Sequence, residues 1–128
     1  MHEQDMAILK SLVTVAWADG HFAAEEREHL EALISAFGAT DAEAEAVRQW
    51  AATPRTFADI PLSELSRDDR RTLLNHAVVL THIDGEQSAD EAELIRHLRT
   101  HLRIEDAEAD AIVAAAEARV KRLLQATS

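Results

Sequence analysis

Two stretches decide the reading of this chain: AWADGHFAAEER at residues 16–27 and THIDGEQSADEA at residues 81–92. Each closes an apolar segment on Asp-Gly and opens the next with paired acids, Glu25 and Glu26 in the first, Asp90 and Glu91 in the second. Sliding residues 12–50 onto 77–115, an offset of 65, needs no gap. It pairs Val13 with Val78, Asp19 with Asp84, Gly20 with Gly85, Glu26 with Glu91 and Leu33 with Leu98, and lays Asp41-Ala-Glu-Ala on Asp106-Ala-Glu-Ala. A self-similarity of this length marks a supersecondary unit that cannot bury its own apolar face, so the two copies are expected to share one fold.

The segments between the motifs have helical period. Ile8, Leu9, Leu12, Val13, Ala16 and Trp17 recur at three- and four-residue spacing, as on the buried stripe of an amphipathic helix. Leu30, Leu33, Ile34 and Phe37 make the stripe of a second helix that stops at Gly38. Thr40 with Glu43 has capping-box spacing and opens a third, which Thr53-Pro54 breaks. Residues 53–66 form a connector in which Phe57 and Ile60 serve as apolar plugs beside a short turn at 62–65. Ser66 with Asp69 caps a fourth helix with Leu73, Leu74, Ala77, Val78 and Thr81 inside, and Ser88 with Glu91 a fifth with Leu94, Ile95, Leu98 and Leu102. A last long helix from Asp106 turns Ile112, Val113, Ala116, Val120, Leu123 and Leu124 inward. No segment has strand period. The expected fold is all-α: one domain over 1–128 with six helices in two three-helix pseudo-repeats, about 8–52 and 67–126, joined by 53–66.

Composition bounds the function. The 128 residues fit a single domain, and a content of 47% hydrophobic and 29% charged residues argues against disorder. With no cysteine, disulfides, thiolate metal sites and cysteine nucleophiles are excluded. The net charge of −11 opposes nucleic acid and anionic lipid, and the first 64 residues hold 12 acids against 4 bases, so a cation or a basic partner is the better match. No apolar run is long enough to insert in a bilayer. The N-terminus places acids ahead of its apolar residues and lacks the features of a signal peptide, which leads to the expectation of a cytoplasmic protein.

The two motifs resemble the repeated motif of the TerB-like tellurite-resistance family: alanine, aspartate, glycine, a few variable residues, then paired acids opening a helix. The resemblance covers residues 5 to 120. It departs from the family pattern at Ala23, where serine is common, and at Ile83, where alanine is usual. It implies an all-α fold, a bacterial cytoplasmic or inner-membrane-associated setting, and a role in metal or stress response without known catalysis. Related domains in J-domain co-chaperones make a metal-free interaction module, co-chaperone-like or immunity-type, the alternative.

The candidate metal ligands are Asp19, Glu25, Glu26, Asp84, Asp90 and Glu91. Hard cations such as Ca²⁺, Mg²⁺ or Mn²⁺ take several oxygens, which two acidic clusters can supply. An ordinary EF-hand is rejected, because its first and third ligand positions fall on Val15 and Trp17, or on Leu80 and His82. The competing reading is structural: Glu26 and Glu91 stand at the third position of their helices, where a glutamate reaches back to the N-cap amide. His97 and His101, with Glu93 one turn earlier, have helical metal-pair spacing but flank the apolar face, as surface residues do. His21, His29, His76 and His82 read as scattered. Trp17, Phe22, Phe37, Trp50 and Phe57 read as core rather than as a partner groove. Arg67, Arg70, Arg71, Arg96, Arg99 and Arg103 form a local basic surface that offsets nearby acids or meets an acidic partner. No phosphate loop, nucleophile elbow or zincin motif is present, so no enzyme is expected and a protein partner, itself membrane-associated or not, is.

Overall fold

The computed structural model describes residues 3–17, 24–82 and 89–127, apart from the side chains of Glu3, Glu25, Leu124, Ala126 and Thr127. Six helices appear among them and no strand: α1 (Glu3–Trp17), α2 (Ala24–Ala36), α3 (Asp41–Ala51), α4 (Arg67–Thr81), α5 (Ala89–His101) and α6 (Asp106–Thr127). Two 3₁₀ turns, Phe57–Asp59 and Leu62–Glu64, punctuate the connector. The fold is all-α, as the periodicity requires. Helix α5 starts and ends 65 residues after α2, and α6 starts 65 after α3.

Helices α1 and α4 form the centre. α4 lies against α1 and α6, and α1 against α3. Nearly all of α1 from Ala7 to Ala16 is buried, more than the single stripe expected, because it is covered on two sides. Ile8, Leu12 and Val15 join the larger core of Leu73, Leu74, Val78, Leu98, Leu102 and Val120. Leu9 and Val13 face a smaller one with Leu30, Ile34 and Val47. Burial on both sides brings Ser11 and Thr14 inside, and each hydroxyl donates to the carbonyl one turn back, Ala7 at 2.7 Å and Lys10 at 2.9 Å. Leu123 departs from expectation and is 56% exposed. At 22 residues α6 outruns the 15-residue α4 on which it packs, so Leu123 lies beyond the stretch that α4 covers.

Helix ends follow the sequence signals. Thr40 and Glu43 close a reciprocal capping box, as do Ser66 and Asp69. α2 ends with Gly38 at φ 73°, where the Ala39 amide donates to Ile34 and the Gly38 amide to Ser35. At the end of α5 Arg103 sits at φ 59°, and the Ile104 and Arg103 amides donate to Arg99 and Thr100. Both are Schellman ends with the same bonds 65 residues apart.

The connector is tied down by Arg70, whose guanidinium donates to the carbonyls of Leu62 at 2.7 Å, Leu65 at 3.2 Å and Leu102 at 3.3 Å. Ile60 and Leu65 are buried beneath it, and Phe57 packs on the larger core.

Candidate functional site

The two acidic motifs end in the first turns of α2 and α5. Glu26 and Glu91 occupy equivalent third positions there, both half-buried and both engaged by neighbouring groups. Asp90 points into solvent. Asp19, Asp84 and the side chain of Glu25 lie outside the described residues, as do Ala23 and Ser88. Among the described residues, no group of three or more His, Asp and Glu side chains is arranged to hold a metal ion. The described acids therefore supply one half-buried carboxylate per motif, and a cation would depend on Asp19 and Asp84 for its remaining ligands.

The helical histidine pair is divided between two neighbours. His97 Nε2 lies 3.1 Å from Glu93 Oε1 in solvent, whereas His101 stacks at a tilt on Phe57 with ring centres 5.7 Å apart. Glu93 is also held by Arg96, whose hydrogen bond and charge do most to keep its carboxyl below the usual carboxylate range.

The tryptophans are structural anchors with satisfied N–H groups. Trp17 Nε1 donates to the Ala51 carbonyl at 2.9 Å and Trp50 Nε1 to the Lys10 carbonyl at 3.1 Å, which tie α1 to α3. The Arg55 guanidinium stacks 3.6 Å from the Trp50 ring centre.

The basic surface resolves into residues with different tasks. Arg71 grips Glu108 through two bonds of 2.6 and 2.9 Å and also takes Asp68, Arg99 pairs with Asp110 at 2.6 Å, and Arg96 pairs with Glu93. Arg71 in turn holds the Glu108 carboxyl below its usual range.

Two histidines that the sequence leaves far apart come within electrostatic reach. His29 on α2 and His76 on α4 are both half-buried, and burial lowers the basicity of each; the charge of His29 and that of Arg119 lower His76 further. Phe37 meets the His76 ring edge-on at 6.1 Å, and His29 Nε2 is buried without a hydrogen-bond partner.

A family model described as tellurite resistance protein TerB matches residues 5–114, which includes both acidic motifs, α1 from Asp5, α2 to α5 and the first part of α6. The chain belongs to the TerB family. No curated protein and no solved structure matches it. No helix of this TerB chain, among the described residues, is long and apolar enough to cross a membrane.

Sequence reasoning about this TerB domain missed three arrangements: the Arg70 clasp, the Arg55–Trp50 stack and the His29–His76 approach. The first two have a local signal, since Arg70 lies five residues after Leu65, and Arg55 five after Trp50. The third has none, because it depends on how α2 and α4 meet.

Proposed function

We propose that this TerB domain is a non-catalytic stress-response module of the tellurite-resistance type, in which the two acidic turns bind a divalent cation, Ca²⁺, Mg²⁺ or Mn²⁺, and cation binding sets a surface for a protein partner in the cytoplasm. The observation that carries the reading is the equivalence of Glu26 and Glu91, both half-buried at the start of helices that share one register. If Asp19 and Asp84 join these glutamates in a cation site, the unliganded site brings like charges together, and a bound cation relieves the repulsion.

Thermal unfolding with and without metal tests this. Stability should rise with free Mn²⁺ or Ca²⁺ as RT ln(1 + [L]/Kd), about 2.7 kcal/mol at a hundredfold excess over Kd. Asp19→Asn combined with Asp84→Asn should remove that gain. A melting temperature indifferent to metal and to chelator would instead leave Glu26 and Glu91 as helix caps in a metal-free interaction module.

A further inference from the structure

An open cleft of about 510 Å³ lies where the end of α1, the start of the connector and the exposed side of α5 come together, lined by Trp17, Pro54, Arg55, Phe57, Leu94 and His97. Its size falls within the range of small-molecule clefts, roughly 300–1,000 Å³. Trp17, Pro54, Phe57 and Leu94 supply apolar walls. The walls are held in place: Trp17 is bonded to Ala51, and Phe57 is packed on the larger core.

Arg55 gives the cleft its polarity. Its Nε donates to the Trp50 carbonyl at 3.0 Å and its plane rests on the Trp50 ring, so the guanidinium is fixed before anything binds. Among the described residues no carboxylate pairs with it, in a chain that carries 24 acids against 13 Lys and Arg. Two described acids on the elements that form the cleft have other tasks. Glu93 takes His97 and Arg96, and Asp59 accepts the Thr56 amide at 2.9 Å.

We propose that this cleft binds a small amphipathic carboxylate, its aliphatic body against Trp17, Pro54, Phe57 and Leu94 and its carboxylate on the Arg55 guanidinium. A planar, stacked arginine presents the fork that a carboxylate accepts. A single unmatched cation calls for a single anionic group. The small ligand is favoured over a docked protein because four apolar side chains fall well short of the roughly 1,200 Å² that a specific protein interface buries.

The test is titration of the full chain with decanoate below its micellar concentration, followed by calorimetry and by the fluorescence of Trp17 and Trp50. Decanol, with the same tail and no charge, is the comparison. Decanoate should bind one to one and roughly tenfold more tightly than decanol, the scale of one charge-assisted bond. Arg55→Gln should make acid and alcohol equal, and Leu94→Glu, which leaves the Arg55–Trp50 stack in place, should weaken decanoate at least tenfold with the helical circular dichroism unchanged. Equal affinity for acid and alcohol, unsaturable binding, or an acid preference that survives Arg55→Gln overturns the proposal. Binding of a peptide with an apolar C-terminal residue but not of decanoate overturns it too, in favour of a protein partner.

Discussion

The ends of α2 and α5 make the same turn with different residues. Gly38 and Arg103 both have positive φ, and the amides around them make the same two bonds, yet only glycine adopts that conformation without a steric penalty. The next helix starts diverge further. Thr40 and Glu43 close a capping box at α3, whereas at α6 the counterpart of Glu43 is Glu108, which leaves the helix end for Arg71 on α4. The two cores are also unequal, with nineteen described residues in the larger and seven in the smaller, and α1 contributes to both. Backbone turns can thus recur at a fixed offset while the side chains on them are reassigned, from local capping to contacts between helices.

The largest test of that inequality is in the cores. Leu98 is fully buried and its counterpart Leu33 only partly so. Leu98→Ala should cost about 3 kcal/mol in chemical denaturation and Leu33→Ala roughly half as much. Equal costs would mean that Leu33 and Leu98 carry the same weight despite their unequal exposure.

The positive-φ pair comes next. A Cβ at Gly38 meets nothing within 4 Å, so Gly38→Ala probes backbone conformation alone and should cost about 1 kcal/mol. Arg103→Gly should stabilise by up to about 1 kcal/mol with the denaturant slope unchanged. A loss on Arg103→Gly would assign the arginine side chain a role that its backbone does not explain.

Caps give an effect of similar or smaller size. Thr40→Ala and Ser66→Ala each remove an oxygen that accepts a third-position amide, at 3.2 and 3.1 Å, and should cost about 1 kcal/mol or less. Glu105, at the position equivalent to Thr40, makes no such box, so Glu105→Ala should change the denaturation midpoint by less than either.

The smallest effect is the pH dependence of the α2–α4 contact. His29 and His76 are less basic in the fold than in the unfolded chain, so unfolding takes up protons. Their contribution is complete above the ordinary histidine pKa of about 6.5 and is lost as pH falls below it. Denaturation midpoints should therefore fall from pH 7.5 to pH 5.5, and His29→Gln with His76→Gln should flatten the slope. Glu43, Glu93 and Glu108, held below their usual range by Thr40, Arg96 and Arg71 respectively, act in a separate window: their contribution is present above the ordinary carboxylate pKa and lost below it.

Local signals account for most of what the sequence reveals. Gly38, Thr40 with Glu43, Thr53-Pro54 and Ser66 with Asp69 mark helix ends through interactions that span five residues or fewer, and the helices begin and end there. Leu123 misled because periodicity reports a face and not the length of the neighbour that covers it. The open cleft and the His29–His76 approach depend on how helices distant in sequence come together, which no spacing encodes. Of the six acids chosen as metal ligands, Glu26 and Glu91 are half-buried and Asp90 is exposed.

Calorimetric titration of Mn²⁺ and Ca²⁺ into the chelator-treated full chain, repeated with the Asp19→Asn, Asp84→Asn variant, decides between a cation site and helix caps. A cation site gives saturable heat for the natural sequence and its loss in the variant, with the variant still helical. Heats equal to those of dilution for both proteins, or equal binding by the two, would contradict it.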